Sequence, residues 1–299
     1  ERPAEITDIF DINQFHNEFI NIPAIYTVLE HARRAKLGLN QKDYAQQCAR
    51  LFENFSKVAA DHPCAMFPQA FTAEDIQTLS EQNNSITDLY SRAMTAKDGV
   101  NQGAAIILMS EDKARALGID AAQFIYPIAG SETQELTLPY REDLGGSVAM
   151  TAAYEAVFEA ANLTMDDITC MDLYSCFPIA VFAACEALKI KADDPRRLTV
   201  TGGLPFFGGA GNNYALHGIV NVITKLRKEA QGYGLVGANG GLLSKHCIGL
   251  YALTPPPSGW QEADKAALTA KVNVQNTPAV VQHADGRAQI ESYSVEYNR

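Results

Sequence analysis

Apolar positions near the start of the chain recur at helical spacing. "IPAIYTVLEHARRAKLG" (22–38) closes on a glycine and "NQKDYAQQCARLFENFSKVAADH" (40–62) stops before Pro63, so a helix is predicted in each. Residues 61–93 lose the period; "PCAMFP" and "SEQNNS" punctuate them as loop. The apolar run Ala104–Met109 then predicts a buried strand. Ser110 follows as an N-cap, with Asp112 in the first turn of a short helix. A strand is predicted in "QFIYPIAG" (123–130), and an irregular stretch with Pro139 and Gly145–Gly146 leads into the helix "SVAMTAAYEAVFEAANL". Next come a capped turn at Thr164, a strand over Ile168–Tyr174 and a helix launched at Pro178. A helix over Tyr214–Glu229 precedes two strands, "YGLVGAN" and "HCIGLYALT", joined around Gly240–Gly241.

Strand and helix alternate in this reading, which predicts the α/β class: a layered mixed sheet with helices on both faces. Three segments are expected: residues 1–121, 122–255 and a partial β appendage over 256–299. In that appendage the composition shifts to short strand-like runs. There Tyr293, Val295 and Tyr297 fall on one face of a period-2 strand. The chain begins without Met and stops on that strand, so it is read as a fragment or as one piece of a larger assembly. No tandem repeat is present.

Composition narrows the possibilities. The 299 residues are 47% hydrophobic, enough for a substantial core, and carry a net charge of −11, which argues against a broad nucleic-acid footprint. No apolar stretch approaches the roughly 18–20 residues that span a bilayer. The six cysteines are dispersed without CxxC spacing, so neither a metal site nor a disulfide framework is predicted, and reduced thiols in a cytoplasmic protein are the expectation.

The most unusual stretch is "TVTGGLPFFGGAGNNYALHGIV" (199–220), with glycines at 202, 203, 208, 209, 211 and 218. "GLPFFGGA" has the glycine spacing of a phosphate-binding loop, but Gly-Ala stands where Lys-Ser/Thr is required, and a dinucleotide fingerprint would open the first βα turn of its fold. The other reading is close packing of a strand, a helix end and a neighbouring loop.

Three stretches taken together go further. "MDLYSCFPIAVFAACEAL", "TGGLPFFGGAGNNYALHGI" and "GANGGLLSKHCIGLYAL" resemble, in order and spacing, the carboxy-terminal catalytic domain of the thiolase superfamily. The likeness is greatest to its sterol-carrier-protein-linked branch and to thiolase-like acetyl-CoA acetyltransferases. "ITDLYSRAMTAKDGVNQGAAIILMSEDKARALG" resembles the end of that family's coenzyme-A loop region, and the stretch from Gly259 the start of an extra domain. The resemblance implies a thiolase-like layered fold with an incomplete first repeat. It implies an acyltransferase acting on acyl-CoA thioesters, or a degenerate acyl-CoA-binding relative. No permanently bound cofactor, metal or membrane span is expected. The expected partner is a second copy or the segment that precedes Glu1, either of which would cover the apolar 104–109 edge.

That family's nucleophilic cysteine lies in the first repeat, in a portion that would precede Glu1. The remaining loops depart from the pattern. Tyr174-Ser175-Cys176-Phe177 stands for the oxyanion-hole loop, and Gly208-Gly209-Ala210 replaces the Gly-His-Pro histidine. Lys245-His246-Cys247-Ile248-Gly249 resembles the branch's His-Asn-Leu-Gly loop. His246 is therefore the candidate acid/base, against a hydrogen-bonded structural histidine. Cys176, at a helix start where amides lower a thiol pKa, is a candidate reactive thiol assisted by His246, against a buried filler. Tyr174 and Cys247 complete the catalytic candidates. Gly208, Gly209, Asn212, Asn213 and Asp98 are the substrate-binding candidates, the glycines lining the floor of an acyl-thioester pocket and the asparagines offering amides or a helix cap. His217 is read as packing. Arg33, Arg34, Lys36 and Lys42 are read as a solvated helix face, with a coenzyme-A 3′-phosphate as the other possibility.

Overall fold

The computed structural model describes residues 9–281 and 283–297. A helical layer comes first: α1 (Ile12–His16), α2 (Ile22–Lys36), α3 (Gln41–Ala60), α4 (Ala73–Gln77) and α5 (Glu111–Ala116). The remaining elements are β1 (Tyr126–Gln134), α6 (Val148–Ala161), β2 (Ile168–Asp172), α7 (Pro178–Leu188), α8 (Tyr214–Glu229), β3 (Tyr233–Gly240), β4 (Lys245–Ala252), β5 (Gln261–Glu262) and α9 (Lys265–Asn273). The caps explain most boundaries. Asn40, Ser110 and Ser147 each accept an amide of the first turn of the helix that follows. Asn162 and Lys189 end α6 and α7 in the left-handed conformation.

One mixed sheet, in the order β2-β3-β4-β1-β5, is the frame. β4 runs antiparallel to both neighbours, whereas β2 pairs parallel with β3 and β5 with β1. Alternation along the strands assigns the faces. Cys170 and Val236 pack on Val222 and Leu226 of α8, while Met171 and Leu235 join the larger core with α6 and α7. That larger core also takes Ile25, Leu29, Phe52 and Phe55 from α2 and α3. Among the described residues no helix is long and apolar enough to cross a membrane.

Glu30 of α2 is fully buried where the helical layer meets α7. Its carboxylate accepts from the Tyr44 hydroxyl, the Tyr90 hydroxyl (2.8 Å) and the Ile179 amide (2.7 Å) in the first turn of α7. Burial pushes its pKa up to about 7 against those three bonds. Nearby Arg33, read as part of a solvated face, is instead buried, bonded to Glu186 and stacked 4.3 Å over Phe182. Lys36 pairs with Asp143.

Two expectations fail here. Ala104–Met109 forms no strand: the run has no ladder partner among the described residues, and Ile107 and Leu108 are more than four-fifths exposed. An apolar sequence makes a buried strand only when a neighbour supplies the hydrogen bonds and the cover. Among the described residues, the strand-like runs expected over 256–299 reduce to the two residues of β5 and a helix, α9, whose Leu268 and Val272 pack on Ala149 and Ala152 of α6. Farther on the chain lies along α2: Tyr293 stacks on His31 (4.6 Å) and the Asp88 amide donates to the Val295 carbonyl (3.0 Å). Tyr293 and Val295 thus dock by a stacking contact, by hydrogen bonds between Val295 and Asp88 and by an isolated bridge at Thr87–Glu296, not by a strand.

Glu30→Ala should destabilise the fold by about 3 kcal/mol, since two hydroxyls and an amide are left buried without an acceptor. Urea unfolding checks this; a loss below about 1 kcal/mol would mean that the carboxylate does not organise the layer contact.

Candidate functional site

A cleft of about 380 Å³ opens where β1, β2 and β3 end and β4 begins. It is the carboxyl edge of the sheet, where open α/β sheets place ligands. Glu132, Thr133 and Gln134 of β1, Ala238, Asn239 and Gly240 of β3, and Lys245, His246 and Cys247 of β4 form its wall, closed by Tyr174, Asn212 and Ala215. Tyr174, Asn212, His246 and Cys247 are thereby brought together. Cys176, Gly208, Gly209, Asn213 and Asp98 are not among the lining residues.

His246 lies opposite Asn239 on one side and Thr133 on the other. It is 1% exposed, and its Nε2 lies 3.2 Å from the Ser147 hydroxyl, which caps α6. Burial pushes its pKa down to about 4, with the Glu135 charge opposing and Arg141 assisting. At neutral pH the ring carries no charge. His246 Nδ1 and Asn239 Oδ1 are both buried without a hydrogen-bond partner among the described residues. Two such atoms on adjacent strands of one cleft are exceptional, because buried polar atoms are nearly always bonded.

Cys176 sits one residue behind this wall. Asn239 Nδ2 donates to its sulfur (3.6 Å) and to the Tyr26 hydroxyl (3.1 Å). The expected low-pKa thiolate is overturned: burial pushes the thiol up to about 11, although Tyr26, Asn239 and the Phe177 amide pull the other way. The expected imidazolium beside it is absent for the same reason, since burial discharges His246. Cys247 is exposed, and its thiol is also raised, by surrounding protein mass and by Glu132 and Glu262.

The first glycines of the loop serve close packing. Gly202 (φ 105°) and Gly203 (φ 80°) press against α3, where an added Cβ would stand 2.6 Å from the Ala59 backbone and 2.5 Å from the Phe55 ring respectively. Only Asn212 of this loop's candidates reaches the cleft. Asn213 occupies the N-cap position of α8 without a capping bond; its amide meets His217 Nε2 at 2.9 Å. Asp98 is exposed, away from the cleft wall.

Sequence reading missed Glu135, Ser147 and Asn239. Glu135 follows β1 directly, and a carboxylate at the end of an alternating strand is the one local sign of it. Ser147 was visible as the first residue of a helix, and Asn239 only as a polar residue inside an apolar strand.

The chain is similar to a monomeric SCP2-thiolase-like protein type 1 from Mycobacterium smegmatis, at 41% identity and a TM-score of 0.91 over 96% of this chain. A human mitochondrial 3-ketoacyl-CoA thiolase shares the fold alone, at 14% identity and a TM-score of 0.54 over 76% of this chain and 59% of that one. No protein-family model and no curated protein sequence matches. The chain belongs to the thiolase superfamily. Within it the chain falls with the SCP2-type, thiolase-like proteins, and it spans 63% of the length of the mycobacterial one.

Two measurements follow from the site. Iodoacetamide at neutral pH should label exposed Cys64 and Cys247 well ahead of Cys176, read by peptide mass mapping; faster labelling of Cys176 would contradict its burial. The contribution of His246 to folding stability should fall as the pH drops from 6.5 towards 4, because there the unfolded histidine binds a proton and folded His246 does not. The whole effect is about 3 kcal/mol. Glu30 works in the opposite sense, its contribution being present below its ordinary value and lost as pH rises through 7. The wild-type minus His246→Gln difference isolates the histidine: it should shift in favour of the wild type on raising the pH through this window, and a flat difference would count against a discharged His246.

Proposed function

We propose that this chain carries the proton-transfer half of a thiolase-type acyltransferase site acting on acyl-CoA thioesters, in the acetyl-CoA acetyltransferase class. The observation that carries the proposal is the pair of unpartnered buried atoms, His246 Nδ1 and Asn239 Oδ1, in one cleft of the fold. A neutral imidazole in a water-poor wall is suited to removing the α-proton of a thioester: the C–H bond breaks, the proton goes to the ring, and the electron pair moves onto the thioester oxygen. Tyr174 and Asn212 bring a hydroxyl and an amide to the same cleft and would donate to that oxygen. Coenzyme A enters as part of the substrate.

Condensation or thiolysis also needs a thiolate. Cys176 and Cys247 are both held protonated, which supports the second reading, an acyl-CoA-binding relative without turnover. The nucleophile of the first reading therefore comes from outside these residues. The mycobacterial relative is described as monomeric, which favours completion within one polypeptide over a homodimer. Six free cysteines agree with a cytoplasmic setting.

The full-length protein should bind coenzyme A saturably in calorimetry and cleave acetoacetyl-CoA. His246→Gln should lower kcat by roughly 10²–10⁴-fold with KM little changed. Saturable binding without turnover would establish the second reading; absence of both would overturn the two together.

A further inference from the structure

We propose that Glu135 and Ser147 are positioning residues that hold His246 as its Nε2–H tautomer, leaving Nδ1 as the lone-pair nitrogen of the site. The catalytic meaning of this rests on His246 being the base; the tautomer itself does not.

The assignment follows from counting protons. Every partner of the Glu135 carboxylate is a donor. Oε1 receives the Leu136 amide (3.1 Å) and Gln275 Nε2 (2.6 Å), and Oε2 receives the Ala149 amide (2.9 Å) and Ser147 Oγ (2.9 Å). A protonated carboxyl would turn its O–H against one of them. Burial alone would raise this pKa, but the Ala149 amide, Gln275, the Arg141 charge and Ser147 outweigh it and hold Glu135 below the ordinary value. The side chain is therefore an anion and accepts only.

Ser147 Oγ has one proton and two lone pairs. Its proton goes to the Glu135 anion, which has none to give. One lone pair takes the Met150 amide (3.0 Å), the capping bond of α6. The other faces His246 Nε2 at 3.2 Å, and only an N–H on that nitrogen makes the contact a bond. A neutral ring protonated at Nε2 carries its lone pair on Nδ1, the atom that lacks a partner. The Leu243 carbonyl, close by, favours a protonated ring without making a hydrogen bond to Nδ1. Arg141 is committed to the Leu136 (2.7 Å) and Leu242 (2.9 Å) carbonyls, and its charge keeps Glu135 ionised while discouraging an imidazolium.

During proton abstraction the new N–H bond forms at Nδ1. The imidazolium then keeps its Nε2–H on Ser147, whose own proton stays on Glu135. The carboxylate thus steadies the cation through a hydroxyl without leaving its place.

Nitrogen-15 NMR of histidine-labelled protein reads the tautomer directly. Wild type and Ser147→Thr, which keeps the hydroxyl and the cap, should show His246 as the neutral Nε2–H form at neutral pH. In Ser147→Ala the Nε2–H would face a methyl group, so the Nδ1–H form should gain population and kcat should fall by roughly 10²-fold with KM unchanged. A predominantly Nδ1–H or doubly protonated ring in wild type would overturn the proposal, as would an unchanged tautomer in folded Ser147→Ala. Thermal melting establishes whether that variant folds, and if it does not, the wild-type spectrum decides alone. An Nε2–H ring in a protein without acyl-CoA turnover would sink the functional reading and leave this one standing.

Discussion

The position of β4 between two antiparallel neighbours governs the site. Its register sets His246 between Asn239 and Thr133, with all three side chains on the face that α6 covers. Strand side chains alternate, so a slip of one residue would carry His246 to the α8 face and bring Cys247 under the Ser147 cap. Burial of Ile248, Leu250 and Ala252 on the same face as His246 opposes such a slip, because each would surrender its contacts with the core. The hydrophobic pattern of one strand therefore fixes the place of a titratable group, although none of the residues providing the stabilisation is chemically active.

Burial then sets the chemistry. It discharges His246, holds the Cys176 and Cys247 thiols protonated and lifts Glu30, whereas Glu135 stays anionic because donors surround it on every side. The contrast between the two carboxylates is instructive. Glu30 receives two hydroxyls and one amide with Arg33 as its weakest influence, and burial prevails. Glu135 receives two amides, a side-chain amide and a hydroxyl with Arg141 close by, and the donors prevail. The balance between depth of burial and the number and kind of donors decides which acid is charged.

The long periodic elements were legible in the sequence. Helix Tyr214–Glu229 and the strands around Gly240–Gly241 stand where pattern and punctuation placed them, and so does the helix at Pro178. Ala104–Met109 was not, because an apolar run states that a segment wants cover and leaves open whether cover is at hand. Helix α9 was missed because its apolar stripe is short, Leu268 and Val272 alone reaching the core. At the site, His246 and Tyr174 could be read from loop likeness, whereas Cys176 was misjudged: the amides of a helix start act on its thiol as expected, but desolvation is the larger influence. Glu135 acts on His246 through Ser147, whose contact with the ring spans 99 residues of chain, and no local pattern encodes a contact of that kind.

The packing of the glycine loop bears on which imidazoles can reach the cleft. Gly209 stands where the resemblance to thiolases would put a histidine. A Cβ there would lie 2.8 Å from Leu204 Cδ2, and one on neighbouring Gly208, at φ 103°, would lie 2.8 Å from Gln102 Oε1. Gln102 in turn bonds the Phe207 carbonyl (2.8 Å), and the Gly209 amide bonds the Lys97 carbonyl (2.9 Å), so the loop is fastened against the 97–102 segment. An imidazole at 209 would have to displace Leu204 from the buried core before it could reach a ligand. The departure from the pattern is thus a repacked loop as well as a lost side chain. With the loop closed in this way, the cleft has one imidazole in its wall, the one that Ser147 and Glu135 hold in place.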